Sequence, residues 1–157
     1  MHVPELIEER LTHSVIAAFY DVYNALGFGF FELVYMSALE RELRARGHAV
    51  GREVYVPVLY KGEEVARQRI DMIVDRRVLV EAKSTQDLHK SAKRQVYNYL
   101  RATRLEVGLL LHFGPEPSFY RLVSNPEGQQ ASGRAPRDAS RTGRAPGDAS
   151  RTEGSSG

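Results

Sequence analysis

Charged side chains inside strands that otherwise read as apolar are the first sign of chemistry in this chain. In Ile70-Asp71-Met72-Ile73-Val74, Asp71 is the only charge in an apolar run. In Val78-Leu79-Val80-Glu81-Ala82-Lys83, the two-residue period of a strand puts Glu81 and Lys83 on one face and Val78, Val80 and Ala82 on the other. The polar turn Asp75-Arg76-Arg77 between the runs predicts an antiparallel pair, in which Asp71 and Glu81 lie level if the register keeps their parity matched. Burying both unpaired would cost on the order of several kcal/mol. A hard cation such as Mg2+ or Mn2+ prefers oxygen ligands, would satisfy both carboxylates, and would activate a water for attack on a phosphodiester. Lys83 would then offset charge building on the phosphate. The competing reading pairs Asp71 and Glu81 with Lys83, Arg69 or Arg77 on a partly solvated sheet face.

Glu32 raises the same question. It stands at the start of a helix within Phe30-Phe31-Glu32-Leu33-Val34-Tyr35. A helix N-terminus tolerates a carboxylate through its dipole, but the apolar setting asks for a further reason.

The elements that must position these residues follow from hydrophobic period. Ile7, Leu11, Val15, Ala18, Phe19, Val22 and Leu26 recur at three and four residues, which predicts a helix over 6–26 that stops at Gly27. A second helix over 31–46 carries Tyr35, Leu39 and Leu43 and stops at Gly47. The period then shortens to two: Val54, Val56 and Val58 alternate with their neighbours, Lys61-Gly62 marks a tight hairpin, and strands follow over 65–74 and 78–82. Residues 88–103 form a third helix with Ala92, Val96, Tyr99 and Leu100 as its buried stripe, and Tyr35, Tyr97 and Tyr99 are expected in the core. Residues 107–113 are apolar on both faces, as a central strand covered by helices would be, and 119–123 make a short edge strand.

Composition divides the chain. Of its 157 residues, 125–157 contain no Ile, Leu, Val, Phe, Tyr or Met, so 1–124 is the folding unit. The remainder reads as a disordered tail, in which Gly133 to Thr142 is repeated as Gly143 to Thr152 with only Arg137 replaced by Gly147. Such units bury too little to stack as a solenoid. Residues 1–124 carry 17 Lys or Arg against 16 Asp or Glu, and 125–157 carry 5 against 4. Bulk charge therefore names no partner, although the third helix gathers Lys90, Lys93, Arg94, Arg101 and Arg104 against only Asp87, a face that could follow a phosphate backbone. The absence of Cys removes thiol chemistry and fits a reducing cytosol. No run approaches the roughly 18 apolar residues of a membrane span. The expectation is a cytoplasmic protein without a membrane segment.

Several site types are excluded by inspection. There is no Gly-x-Ser-x-Gly elbow and no phosphate loop ending in Gly-Lys-Ser or Gly-Lys-Thr, and His2, His13, His48, His89 and His112 never fall at zincin spacing. Gly27-Phe28-Gly29 follows a helix where a dinucleotide fingerprint needs a strand.

Gly29-Phe30-Phe31-Glu32-Leu33-Val34-Tyr35 resembles the signature of the GxxExxY protein family. The likeness extends from about Glu5 to Val123 through Thr12-His13-Ser14-Val15-Ile16, Val22 to Gly27, Glu81-Ala82-Lys83, Gln95 to Leu100 and Leu109 to Gly114, in that order. That family is similar to the PD-(D/E)XK nuclease-like superfamily. The resemblance implies an α/β fold (α+β, mixed sheet) with an α-β-β-β-α-β core flanked by helices and preceded by an extra N-terminal helix. It implies Asp71 and Glu81 as metal ligands, Lys83 as the catalytic lysine, Glu32 as a further ligand and site carboxylate, and Gln95 as a polar site residue. Ile70 stands where the superfamily name has Pro, and Phe28 and Phe30 stand where the family often has Pro and Leu. The leading expectation is a Mg2+ (or Mn2+) dependent nuclease acting on DNA or RNA. A catalytically silent module that binds nucleic acid or protein is the alternative, and a homodimer is a third.

Overall fold

The computed structural model describes residues 6–124. The tail and its repeat lie outside them. The order is α1 (Glu9–Leu26), α2 (Glu32–Ala45), β1 (Val50–Tyr60), β2 (Glu63–Val74), β3 (Val78–Lys83), α3 (Ser91–Thr103), β4 (Val107–Phe113) and β5 (Pro117–Val123). The expected α/β fold, a mixed sheet flanked by helices behind an extra N-terminal helix, is the fold observed. Strand order in the sheet is β1-β2-β3-β4-β5. Only β3 and β4 run parallel, because α3 carries the chain across between them.

Two apolar layers fix this arrangement. On one face Leu11, Val15, Ala18, Phe19 and Val22 of α1 and Tyr35, Leu39 and Leu43 of α2 pack on Val78, Val80, Ala82, Leu109 and Leu111. On the other, Ala92, Val96, Tyr99 and Leu100 of α3 cover Leu79 and Leu110. β4 is therefore buried at every position, which explains its unbroken apolar run. Gly108 sits directly beneath α3: a Cβ there would stand 2.8 Å from Val96 Cγ1, so the helix reaches this depth only over a glycine.

Several boundaries move for local reasons. α1 begins at Glu9 rather than at residue 6, since Glu8 takes a left-handed φ of 55° that breaks the helix. α3 begins at Ser91 rather than at 88, where His89 Nδ1 accepts the Ser91 amide at 3.0 Å. β1 starts four residues before the expected Val54, and Tyr97, expected in the core, is exposed. The Lys61-Gly62 hairpin forms as expected, with φ of 51° and 80°. Far from that turn, His48 lies 2.7 Å from both Ser14 Oγ and Asp75 Oδ2, joining α1 to the β2–β3 turn. No helix among the described residues is long and apolar enough to cross a membrane.

Candidate active site

The register decides whether the two strand carboxylates meet. Val74 pairs with Val78, Ile73 with Leu79 and Met72 with Val80, and one further step places Asp71 level with Glu81. The backbone ladder stops at Met72. There the Asp71 side chain replaces it, and its Oδ2 accepts the Ala82 amide at 3.1 Å.

The ladder on the other side of β2 lapses at the same level. Arg52 pairs with Met72 and Val54 with Ile70, with no pair between them at Glu53 and Asp71, and Glu53 has a φ of 49°. Before this break Val50, Met72 and Val74 pack under α1 and α2. Beyond it Val54 and Ile70, of the same parity, pack under α3. Asp71 thus stands where both strands change helix layer, and that change frees its surroundings from the regular sheet.

Glu81 is 3% exposed. Leu79 belongs to the α3 layer, so the strand period turns Glu81 and Lys83 toward α3 as well. Lys83 Nζ donates to Glu81 Oε1 at 3.2 Å, while Glu81 Oε2 is buried without a hydrogen-bond partner. Burial, and then the nearby Asp71 charge, push the Glu81 carboxyl up to about 8 against the pull of Lys83. Glu32 is the first residue of α2 and approaches from the opposite helix layer. Its carboxyl is pushed up to about 7 by burial, by the Asp71 charge and by a hydrogen bond to Asp71 that favours the protonated form. Glu32, Asp71 and Arg69 line one recess of about 290 Å3 with Leu33, Met36, Arg52 and Glu53. A larger recess of about 690 Å3 between β1 and α3 holds no carboxylate.

Gln95 does not reach the carboxylates by any hydrogen bond among the described residues. Its Nε2 donates to the Tyr99 hydroxyl at 2.7 Å. Tyr99 is raised by burial and then by the Glu81 charge, so Gln95 is tied to the site through a tyrosine that the sequence marks only as core.

The donor set suits a hard divalent cation. It consists of carboxylate oxygens, one of them orphaned in the interior, and the Asp71 charge raises the proton affinity of both Glu32 and Glu81 although Lys83 pulls the other way. Among the described residues no three His, Cys, Asp or Glu side chains already converge on one coordination point. The carboxylates are gathered, with their inner bonds made to Lys83 and Ala82.

The Ser14, His48 and Asp75 chain has the order of a nucleophile, base and orienting acid. Ser14, however, lies inside α1, whose backbone amides are consumed by the helix and leave no oxyanion donors. Asp75 Oδ1 also accepts the Ala49 amide at 2.8 Å, so the network serves as a clasp. His112 is buried with Nε2 2.8 Å from the Thr85 carbonyl.

The sequence reading missed what braces the lip of the site. The Tyr35 hydroxyl donates to the Gly27 carbonyl at 2.5 Å and accepts the Phe30 amide at 3.3 Å. The Tyr35 ring stacks on Phe113 at 4.2 Å. The Gly-x-x-Glu-x-x-Tyr spacing therefore joins a turn at Gly29, φ 117°, a site carboxylate and the anchor that fixes both.

Comparison with known proteins agrees with this fold. Residues 9–122 match the family model described as the PD-(D/E)XK nuclease superfamily. A solved structure titled "Crystal structure of SSO0001" is similar with a TM-score of 0.50 and 19% identity, covering 82% of this chain and 73% of that one. At this identity the likeness speaks for the fold alone. No curated protein matches the chain.

Proposed function

Because the chain belongs to the PD-(D/E)XK nuclease superfamily, we propose that it is a Mg2+- or Mn2+-dependent phosphodiesterase of nuclease type, acting on DNA or RNA, within the GxxExxY group of that superfamily. The observation that carries this reading is Glu81, a buried carboxylate with one orphaned oxygen, level with Asp71 and 3.2 Å from Lys83. A fold alone does not confer activity, so the weight rests on the site.

Asp71, Glu81 and Glu32 would hold the cation, which when bound supplies Lewis acidity and a water of lowered pKa. Lys83 is the residue free to act on substrate: its side chain is 26% exposed against 4% for Glu81. Its ammonium swings from Glu81 toward a phosphate and offsets charge developing on the non-bridging oxygens. Gln95 holds the Tyr99 hydroxyl and thereby fixes the wall behind Glu81. On the exposed face of α3, Lys90, Arg94, Arg101 and Arg104 meet no carboxylate among the described residues. Arg101 and Arg104 border a groove of about 520 Å3 with Asn98 and Gln68. Guanidinium and amide donors along a groove suit a phosphate backbone.

The test combines binding with cleavage. Calorimetry with Mg2+ or Mn2+ on the full chain should give heat that Asp71→Ala and Glu81→Ala abolish. Cleavage of a mixed DNA and RNA panel should require the cation and fall at least about a hundredfold in Lys83→Ala. Nucleic-acid binding that is unchanged in chelator, with no cleavage in any cation, would instead establish the catalytically silent module.

A further inference from the structure

Beside the carboxylates the chain exposes aromatic surface that its own core does not use. Phe31 is 87% exposed and Leu33 64%, with Phe28 and Phe30 nearly half exposed. Soluble proteins seldom leave adjoining large apolar side chains in water without a use. Phe31 and Leu33 flank Glu32 in sequence, and Leu33 lines the recess that holds Glu32 and Asp71.

The segment is held rather than loose. Tyr35 ties the carbonyl of Gly27 and the amide of Phe30 while its ring stacks on Phe113, and the Phe30 ring meets Tyr35 edge-on at 6.1 Å. Phe31 itself is extended, with φ −64° and ψ 151°, immediately before the helix. A rigid aromatic side chain presented to solvent loses little entropy when a flat partner stacks on it.

The recess beside this platform holds Glu32, Glu53 and Asp71 with Arg52 and Arg69, and both arginines are paired, Arg52 with Glu40 at 3.2 Å and Arg69 with Glu53 at 3.6 Å. Aromatic surface beside a site read as taking a phosphodiester matches a nucleotide, which brings a flat base and a phosphate together. Duplex DNA or RNA keeps its base faces stacked inside, whereas a single strand offers them. A second copy of this chain fits less well, since apposing two such lips would bring Glu32, Glu53 and Asp71 of each near those of the other.

We propose that Phe31, flanked by Phe30 and Leu33, is a stacking platform for an unpaired nucleobase, so that the strand entering the carboxylate site is single-stranded nucleic acid. This rests on the nuclease reading only in taking a nucleic acid as substrate.

The experiment measures binding, without catalysis. Fluorescence anisotropy in chelator compares a labelled oligothymidine of about 16 nucleotides with a duplex of equal length, using the full chain, Phe31→Ala and Phe31→Trp. The wild type should prefer the single strand. Phe31→Ala should weaken that binding about tenfold and leave duplex binding unchanged, and Phe31→Trp should retain it, because base–aromatic stacking is lost only with the ring. Phe31 is too exposed for its loss to unfold the chain. Single-strand binding that is unaffected by Phe31→Ala, or a wild-type preference for duplex, overturns the platform while leaving the nuclease reading intact. Binding to neither probe overturns the platform, and the nuclease reading then stands or falls on the cation-dependent cleavage assay. A wild-type dimer that Phe31→Ala turns into a monomer without change in oligonucleotide affinity assigns the patch to self-association and overturns the platform.

Discussion

The Asp71 carboxylate accepts the Ala82 amide at 3.1 Å where the β2–β3 ladder would otherwise have continued. One side chain thus closes the end of a strand pair and supplies a charge to the site. Substitutions can separate these roles. Asp71→Ala removes both and leaves the Ala82 amide without its partner, a loss of about 1–3 kcal/mol. Asp71→Asn keeps an oxygen acceptor and removes the charge that presses on Glu32 and Glu81. Thermal denaturation in chelator should therefore rank Asp71→Asn at or above wild type and Asp71→Ala below it, while calorimetry finds Mg2+ binding lost in both. A chain with Asp71→Asn as unstable as Asp71→Ala would mean that the charge, and not the hydrogen bond, holds the strands there.

Glu81 couples the site to stability through pH. Its folded pKa of about 8 lies above the ordinary 4.5, so between these values the folded chain binds more protons than the unfolded one. Stability is then fully present below about pH 4.5 and is lost as pH rises to about 8. Glu32, raised to about 7, acts in the same direction. Without added metal, the melting temperature should fall from pH 5 to pH 8.5, and Glu81→Gln should flatten that fall, by on the order of a few kcal/mol at the alkaline end. A steeper decline in Glu81→Gln than in wild type would refute this assignment.

Metal should reverse the trend. Ligand that binds only the folded state adds stability by mass action, and deprotonated carboxylates bind it best. Millimolar Mg2+ should raise the wild-type melting temperature more at pH 8.5 than at pH 5.5, and should do little for Glu81→Gln. Equal Mg2+ effects in the two proteins would place the ion away from Glu81.

Local period carried much of this molecule. Alternation in Val78 to Lys83 assigned Glu81 and Lys83 to one face, and the short polar turn kept Asp71 in step with Glu81, as the register shows. The change of helix layer at Glu53 and Asp71 was hidden, because it depends on which helix lies over each end of a long hairpin, and no window of sequence contains both. Tyr99 was hidden for a similar reason: it follows the apolar stripe of α3, and only the tertiary approach of β3 sets its hydroxyl between Gln95 and the Glu81 charge. Phe28 and Phe30 were legible only as departures from a family pattern, since exposure is a property of the folded surface.

Gly108 offers a test of the α3 layer alone. A methyl group there would meet Val96 Cγ1 at 2.8 Å, and a β-branched side chain packed on a strand has little room to retreat. Gly108→Ala should destabilise the fold by about 1–3 kcal/mol as overpacking, and Val96→Ala should rescue part of that loss in the double variant. Additive losses in the double-mutant cycle would show that the two positions do not share the contact.

Tyr35→Phe isolates the brace of the lip from the core. The ring is fully buried and stacked on Phe113, so its apolar contacts survive the substitution. What goes is the hydroxyl, with its bonds to the Gly27 carbonyl and the Phe30 amide. Global stability should drop by only about 1 kcal/mol, but hydrogen exchange at Phe30 should quicken by more than that drop accounts for, because the loop can open without unfolding the sheet. Glu32 begins α2 one residue beyond Phe31, so looser entry to the helix also spreads the positions its carboxyl visits. Mg2+ affinity should fall severalfold in Tyr35→Phe although no ligand has been touched. Unchanged exchange at Phe30 would show that packing of the ring, without the hydroxyl, is enough to hold the lip.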